Sequence, residues 1–261
     1  MLGDLSIWVV VGLVAVAFVA GWVDAVVGGG GLIQLPALLL ALPADTPVAT
    51  ISGTNKISSF AGTTSATVTY LRRIRITWRD ALPLMAGAAI GSALGARMVT
   101  FLPKEWFTPV VLVALVVVGG FLWRRPKFGL ETHVRAQGGG LAVRSGAIGL
   151  GVGVYDGFLG PGTGTFFVIL IVGVLGYGFL EASARAKLAN MTTNVAAILT
   201  LAGHINWPLG LMMAAANITG GLIGARAALR HGNAFVRKVL LLVVAGLIIR
   251  LSYDMVRQLL G

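Results

Sequence analysis

Long apolar runs alternate with short polar or basic segments along the whole chain and divide it into two halves with five runs each. Continuous runs of this kind predict membrane helices. The second run of each half is shorter than the roughly 20 residues that a crossing needs, which leaves a tilted helix and a re-entrant element as alternatives. The runs are 5–27, 31–42, 48–70, 80–102 and 106–123, and then 145–159, 165–180, 183–202, 207–229 and 235–258.

This pattern predicts a first helical repeat at 1–123, a cytoplasmic basic linker at 124–140 and a second helical repeat at 141–261. The fold class that we expect is an all-α integral membrane protein with two inverted-topology repeats and interrupted or re-entrant helices. The first run lacks a basic start and a clear cleavage site, so we interpret it as a retained helix.

Composition agrees with a membrane protein. Of the 261 residues, 57% are hydrophobic and 11% are charged, and the mean hydropathy is +0.90. The net charge of +11 comes from basic residues that flank apolar runs, which indicates topology signals and no nucleic-acid partner. The absence of cysteine excludes disulfides and thiolate metal sites.

Two glycine-rich breaks about 130 residues apart interrupt the apolar pattern at corresponding positions of the halves. Residues 21–31 read GWVDAVVGGGG and residues 153–164 read GVYDGFLGPGTG. Asp24 matches Asp156, and the glycines follow at the same distance. Paired interruptions of this kind indicate the binding site of a transporter.

The fourth runs repeat most clearly, as GAAIGSALGAR at 87–97 and ANITGGLIGAR at 216–226. Small residues four apart predict a helix face on which another helix packs closely. Each motif ends in an arginine, Arg97 or Arg226, that could contact an anion. We favour the alternative that both extend to the lipid headgroups.

The positions of basic residues predict that the halves point in opposite directions. The loop at 71–79, the central linker and the loop near 230–238 are arginine-rich and therefore cytoplasmic. The counterpart of 71–79 in the second half, 203–206, has no Asp, Glu, Lys or Arg and is expected outside. The topology is therefore inverted, with both termini external.

These motifs resemble the TauE/SafE family of sulfite exporters or anion permeases over nearly the whole chain. The resemblance rests on AGWVDAVVGGGGLIQLP at 20–36, on SGTNK at 52–56 and on a degenerate copy at 153–194. It implies a multi-pass protein of the bacterial inner membrane that moves sulfite, sulfonates or related sulfur-containing anions. The second copy differs by Pro161 and Thr163, which leaves open whether both halves contribute equally.

A helix that starts just after Gly31, and another that starts near Thr165, would direct free N–H groups and a positive dipole end toward the glycines. Thr163 and Thr165 could add hydroxyl donors. The alternative is that the glycines only permit close helix crossing. The substrate-binding candidates in the breaks are Gly28, Gly29, Gly30, Gly31, Gly160, Gly162, Thr163, Gly164 and Thr165.

The third runs supply the remaining binding candidates. Lys56 aligns with Lys187, and either could neutralise a permeating anion. Lys56 could equally pair with Asp24 in a structural role. Polar side chains four residues apart either line a path or join neighbouring helices; they are Asn55, Ser59 and Thr63 in the first half and Asn190 and Asn194 in the second.

Asp24 and Asp156 either accept backbone N–H bonds at the breaks or, if burial favours the neutral acid, carry a proton. The histidines are scattered over loops, so we expect no metal and no cofactor. The predicted function is a secondary transporter, with an exporter favoured, that moves a small sulfur-containing anion by alternating access. An anion channel, an assembly scaffold and, less favoured, an intramembrane enzyme are the alternatives. The expected partners are that anion and membrane lipid; a homo-oligomer is left open.

Overall fold

A computed structural model describes residues 5–43, 45–98, 116, 124, 129–134 and 138–260. Helices and their connections make up this part of the chain, and it contains no strand, which confirms the all-helical class. The predicted segment 106–123 and most of the central linker lie outside the described residues. The helices are α1 (Ile7–Val27), α2 (Gly31–Ala41), α3 (Val48–Leu71), α4 (Trp78–Met98), α5 (Gly138–Phe158), α6 (Thr163–Leu170), α7 (Phe179–Leu201) and α8 (Trp207–Leu260).

Three of the described helical stretches are long and apolar enough to cross a membrane: α1, α4 and Trp207–Gly246 within α8. Helices α3 and α7 have 24 and 23 residues, but they carry many polar side chains that the surrounding helices bury. Helix α2, and α6 with the π-helical turn that follows it, are apolar and too short for a crossing.

Helix α8 corrects one prediction. Two apolar runs separated by a loop were expected, but the helix is interrupted at a single residue, Gly232, with φ 78° and ψ −171°. Only glycine adopts this conformation readily. The next residue, Asn233, holds the corner, because its side chain accepts a hydrogen bond from the Leu180 N–H at 2.8 Å and donates one to the Leu130 carbonyl at 2.7 Å.

The small-residue motif of α4 packs against α5, as predicted. A Cβ atom on Gly91 would lie 2.3 Å from the Leu150 carbonyl oxygen, and one on Gly95 would lie 2.2 Å from that of Val154. No side chain fits at these distances. The contacts advance along both helices in the same direction, so α4 and α5 are parallel neighbours.

The second small-residue motif makes the equivalent contact between α8 and α1. A Cβ atom on Gly220 would lie 2.0 Å from the Phe18 carbonyl oxygen, and one on Gly224 would lie 2.4 Å from that of Trp22. These contacts also advance in the same direction along both helices. Each half therefore contributes its fourth helix to the first helix of the other half.

Candidate functional site

The first break separates α1 from α2 at residues 28–30. Gly28 has φ 83°, and its N–H donates to the Asp24 carbonyl at 2.7 Å. This is the usual way in which a glycine ends a helix. Helix α2 then begins at Gly31, as expected from the sequence.

The second break separates α5 from α6. Gly160 and Gly162 have φ values of 86° and 76°, and α6 begins at Thr163, two residues before the predicted start. The Tyr155 hydroxyl donates to the Pro161 carbonyl at 2.7 Å. The break is therefore held by its own side chains as well as by glycine conformations.

The two breaks contact each other directly through their backbones. The Thr165 N–H donates to the Gly28 carbonyl at 3.1 Å, and a Cβ atom on Gly28 would lie 2.1 Å from the carbonyl carbon of Gly164. Any side chain at Gly28 would push the halves apart. The start of α6, from the second half, therefore lies against the end of α1, from the first.

The threonine hydroxyls do not point to the anion role that we expected. The Thr163 hydroxyl donates to the Gly160 carbonyl at 2.7 Å, and the Thr165 hydroxyl donates to the Val27 carbonyl at 3.0 Å. A hydroxyl has only one hydrogen to donate. Both threonines therefore stabilise the breaks in this conformation.

Two ion pairs cross between the halves beside this contact. Lys56 Nζ lies 2.6 Å from Asp156 Oδ2, and Lys187 Nζ lies 2.8 Å from Asp24 Oδ2. Lys187 also donates to the backbone carbonyl of Asp24. The suggested pairing of Lys56 with Asp24 was wrong, because each lysine pairs with the aspartate of the other half.

Hydroxyl groups complete the surroundings of both carboxylates. Thr63 donates to Asp24 Oδ2 and Ser92 to Asp156 Oδ2, both at 3.3 Å. Among the described residues, these carboxylates bond to side chains and not to the backbone N–H groups that we considered. Their negative charge is therefore balanced mainly by lysine.

A small cavity lies between the breaks and the ion pairs, with a free volume of about 10 Å³. This is about the space that one water molecule needs. Every residue that lines it was a candidate from the sequence: Asp24, Gly28, Gly31, Asn55, Lys56, Ser59, Asp156, Gly160, Gly162, Thr163, Gly164, Asn190 and Asn194.

Four other candidates lie beside the cavity without lining it: Gly29, Gly30, Thr165 and Lys187. Gly30 packs against α1, where a Cβ atom would lie 2.5 Å from the Ala20 carbonyl oxygen. Gly29 would place its Cβ atom 3.3 Å from Val243. These two glycines are required for packing.

Two amide side chains at the cavity have polar atoms that lack a hydrogen-bond partner among the described residues. They are Asn55 Oδ1 and Asn194 Nδ2, and both atoms are buried. A buried polar atom without a partner is uncommon in a folded protein. The Asn194 N–H group is a donor that an anion could accept from.

Sequence reasoning missed Ser92, which contacts Asp156 and also donates to the Thr193 carbonyl at 2.9 Å. Ser92 follows Gly91 in the small-residue motif, so it was interpreted only as a packing residue. The motif arginines, Arg97 and Arg226, are exposed and do not line the cavity.

A second buried ion pair was also missed. Arg185 Nε lies 2.6 Å from Asp80 Oδ2, and the Arg185 guanidinium stacks over Tyr177 at 3.6 Å. A polar cluster at the other end of α3 joins three helices, because Asn217 donates to both Gln34 at 2.9 Å and Ser58 at 3.2 Å. Helical spacing gave no signal for either, because their partners come from distant segments.

Comparison with known proteins follows the same residues. Residues 13–251 match the sequence profile of the family described as sulfite exporter TauE/SafE. The chain belongs to the TauE/SafE family. The stretches 20–36 and 52–56, which carry the family resemblance, contain Asp24, Gly28 and Lys56 of the central site. Within the described residues, no group of His, Asp and Glu side chains could hold a metal ion.

Curated TauE/SafE-like relatives cover almost the full length of the chain. "Probable membrane transporter protein ORF9" of Sinorhizobium sp is 33% identical over 255 residues, which is 96% of this chain and 95% of that protein. A "probable membrane transporter protein" of Haemophilus influenzae is 32% identical, with 96% and 97% covered. "Probable membrane transporter protein YfcA" of Escherichia coli K12 is 32% identical, with 92% and 88% covered. No solved structure shows a significant match.

Proposed function

We propose that the protein is a multi-pass secondary transporter of the bacterial inner membrane that moves a small sulfur-containing anion, with sulfite or an organosulfonate as the leading cargo. The observation that carries the proposal is the backbone contact between the two breaks, with two crossed Lys–Asp pairs around one cavity. The family and the names of the relatives support a transporter.

The proposal includes two repeats of inverted topology, at 1–123 and 141–261. Reciprocal packing supports it, because α1 runs parallel to the first part of α8, and α4 runs parallel to α5. The crossed ion pairs have the same reciprocity. Inverted repeats with discontinuous helices that meet at a central site are a common design of secondary transporters.

The groups around the cavity suit an anion with several oxygen atoms. Lys56 offers ammonium N–H groups at the cavity wall, and the buried Asn194 Nδ2 has no partner among the described residues. The helix starts at Gly31 and Thr163 add a positive dipole potential. A sulfite or sulfonate group presents three oxygens that can accept these donors.

The described conformation is closed to such an anion, because a cavity of about 10 Å³ holds at most a water molecule. Binding therefore requires the halves to separate at the cavity. Rocking of one repeat against the other would open the site to one side at a time. An open anion channel needs a continuous wide path, which this conformation lacks at its centre.

Charge balance favours coupling to protons. An anion that binds Lys56 or Lys187 must displace a carboxylate, and a displaced, buried carboxylate is costly unless it is neutralised. Protonation of Asp24 or Asp156 as the anion enters would keep the net charge of the site unchanged. One proton would then accompany each negative charge that the site receives.

Flux into proteoliposomes tests the proposal. The purified full-length protein would be assayed with sulfite, an organosulfonate, sulfate and acetate, each with and without a pH gradient. We expect saturable flux of sulfite or the sulfonate that the gradient accelerates. The double variant Asp24→Asn/Asp156→Asn should lose the acceleration. Absence of flux for every anion would refute the transporter, and currents far above transporter turnover would indicate a channel.

A further inference from the structure

We propose that a groove on the cytoplasmic half of the protein is a binding site for an anionic phospholipid, such as phosphatidylglycerol. The groove has a volume of about 950 Å³ and lies between α3, the first part of α8 and the start of α7. It is separate from the central cavity, and the proposal does not depend on the transported cargo. Its basic lining residues are Arg72, Arg73, Arg226 and Arg230.

The four arginines gather at one end of the groove. Arg72 and Arg73 directly follow the last residue of α3, and Arg226 and Arg230 lie one turn apart, just before the corner at Gly232. All four are exposed. In the part of the chain that the structure describes, none of them forms an ion pair with an acidic side chain. Arginine binds phosphate with two N–H groups at once, so this end is suited to a phosphate group.

The rest of the groove is suited to an acyl chain. Val68 on α3 and Ile218 on α8 line it, and they are 45% and 38% exposed. Along α8, the distance from Arg230 to Ile218 is about 18 Å at 1.5 Å per residue. One leaflet of the hydrocarbon core is about 15 Å thick. The groove therefore extends from the headgroup region toward the middle of the bilayer.

The opposite half offers no equivalent basic end. In the alignment that matches Lys56 with Lys187, the positions of Arg72 and Arg73 are occupied by Gly203 and His204. The basic end is also the end that positive-inside topology assigns to the cytoplasm. The cytoplasmic leaflet carries a negative surface potential, and basic pockets between helices on this side bind anionic headgroups.

Native mass spectrometry of the detergent-purified full-length protein would test the site, with phosphatidylglycerol or phosphatidylcholine added. We expect tighter binding of phosphatidylglycerol and a loss of about fivefold in affinity for each arginine replaced by glutamine. Arg72→Gln/Arg73→Gln is the main variant. Arg75→Gln/Arg79→Gln is the matched control, because these exposed arginines belong to the same loop but do not line the groove.

Two further arms distinguish a lipid from a free anion. Val68→Trp fills the apolar part without touching the arginines and should weaken phosphatidylglycerol binding, whereas millimolar inorganic phosphate should compete poorly. Equal binding of both lipids would overturn the proposal, as would an equal loss in the Arg75→Gln/Arg79→Gln control. Full competition by phosphate together with unchanged binding by Val68→Trp would show a free-anion site instead.

Discussion

The two crossed ion pairs use the same residue types but differ in their access to solvent. In the Lys56–Asp156 pair the side chains are 3% and 1% exposed, whereas in the Lys187–Asp24 pair they are 1% and 13% exposed. The duplicated site is therefore symmetric in chemistry and asymmetric in hydration. A carboxylate with residual access to water exchanges protons and partners more easily, so we assign the first step of opening to Asp24.

The largest expected effect is on stability, in the variant Lys56→Met. It leaves Asp156 charged and buried without its cation, so the free energy of unfolding should fall by about 3–5 kcal/mol. Denaturation of the purified protein in mild detergent would measure this. The double variant Lys56→Met/Asp156→Asn removes both charges and should recover most of the stability while flux stays lost. A double variant as unstable as the single one would show that charge pairing is not the cause.

A smaller loss is expected for Lys187→Met. Its partner Asp24 is partly hydrated and keeps the Thr63 hydroxyl, so the free energy of unfolding should fall by roughly 1–3 kcal/mol. The same denaturation assay, run beside Lys56→Met, makes the comparison direct. Equal losses in the two lysine variants would remove the proposed asymmetry.

Removal of the hydroxyl donors should have the smallest effect. Ser92→Ala and Thr63→Val each delete one 3.3 Å hydrogen bond to a carboxylate, which corresponds to about 1 kcal/mol. We expect the pH profile of flux to shift more for Thr63→Val, because it adjoins the more hydrated aspartate. Identical pH profiles for the two variants would argue against distinct roles for Asp24 and Asp156.

Local sequence patterns predicted the helices and the members of the site well. Apolar runs located the described helices, and the glycine breaks located the ends of α1 and α5. All the residues that line the central cavity were predicted. Polar side chains are costly inside a membrane, so their duplication beside matching glycine breaks indicated one shared site.

The partners of these residues could not be predicted, because pairing depends on how the halves interlock. Local spacing made Asp24 a reasonable partner for Lys56, but the interlocked halves bring Asp156 there. The continuity of α8 through Gly232 was missed because clustered charges usually mark a loop. The hydroxyl of Thr165 was assigned to an anion because the carbonyl that it bonds, that of Val27, is remote in sequence.

The contact between Gly28 and Gly164 has a mechanical consequence. With no side chain between the two backbones, it is a narrow fulcrum on which the helices can tilt. A helix that extends ten residues from this point forms a lever arm of about 15 Å. A rigid-body rotation of about 15°, as in known subunit rotations, would displace its far end by about 4 Å. A movement of that size at the surface widens an entrance by more than the radius of a water molecule, while the fulcrum itself hardly shifts.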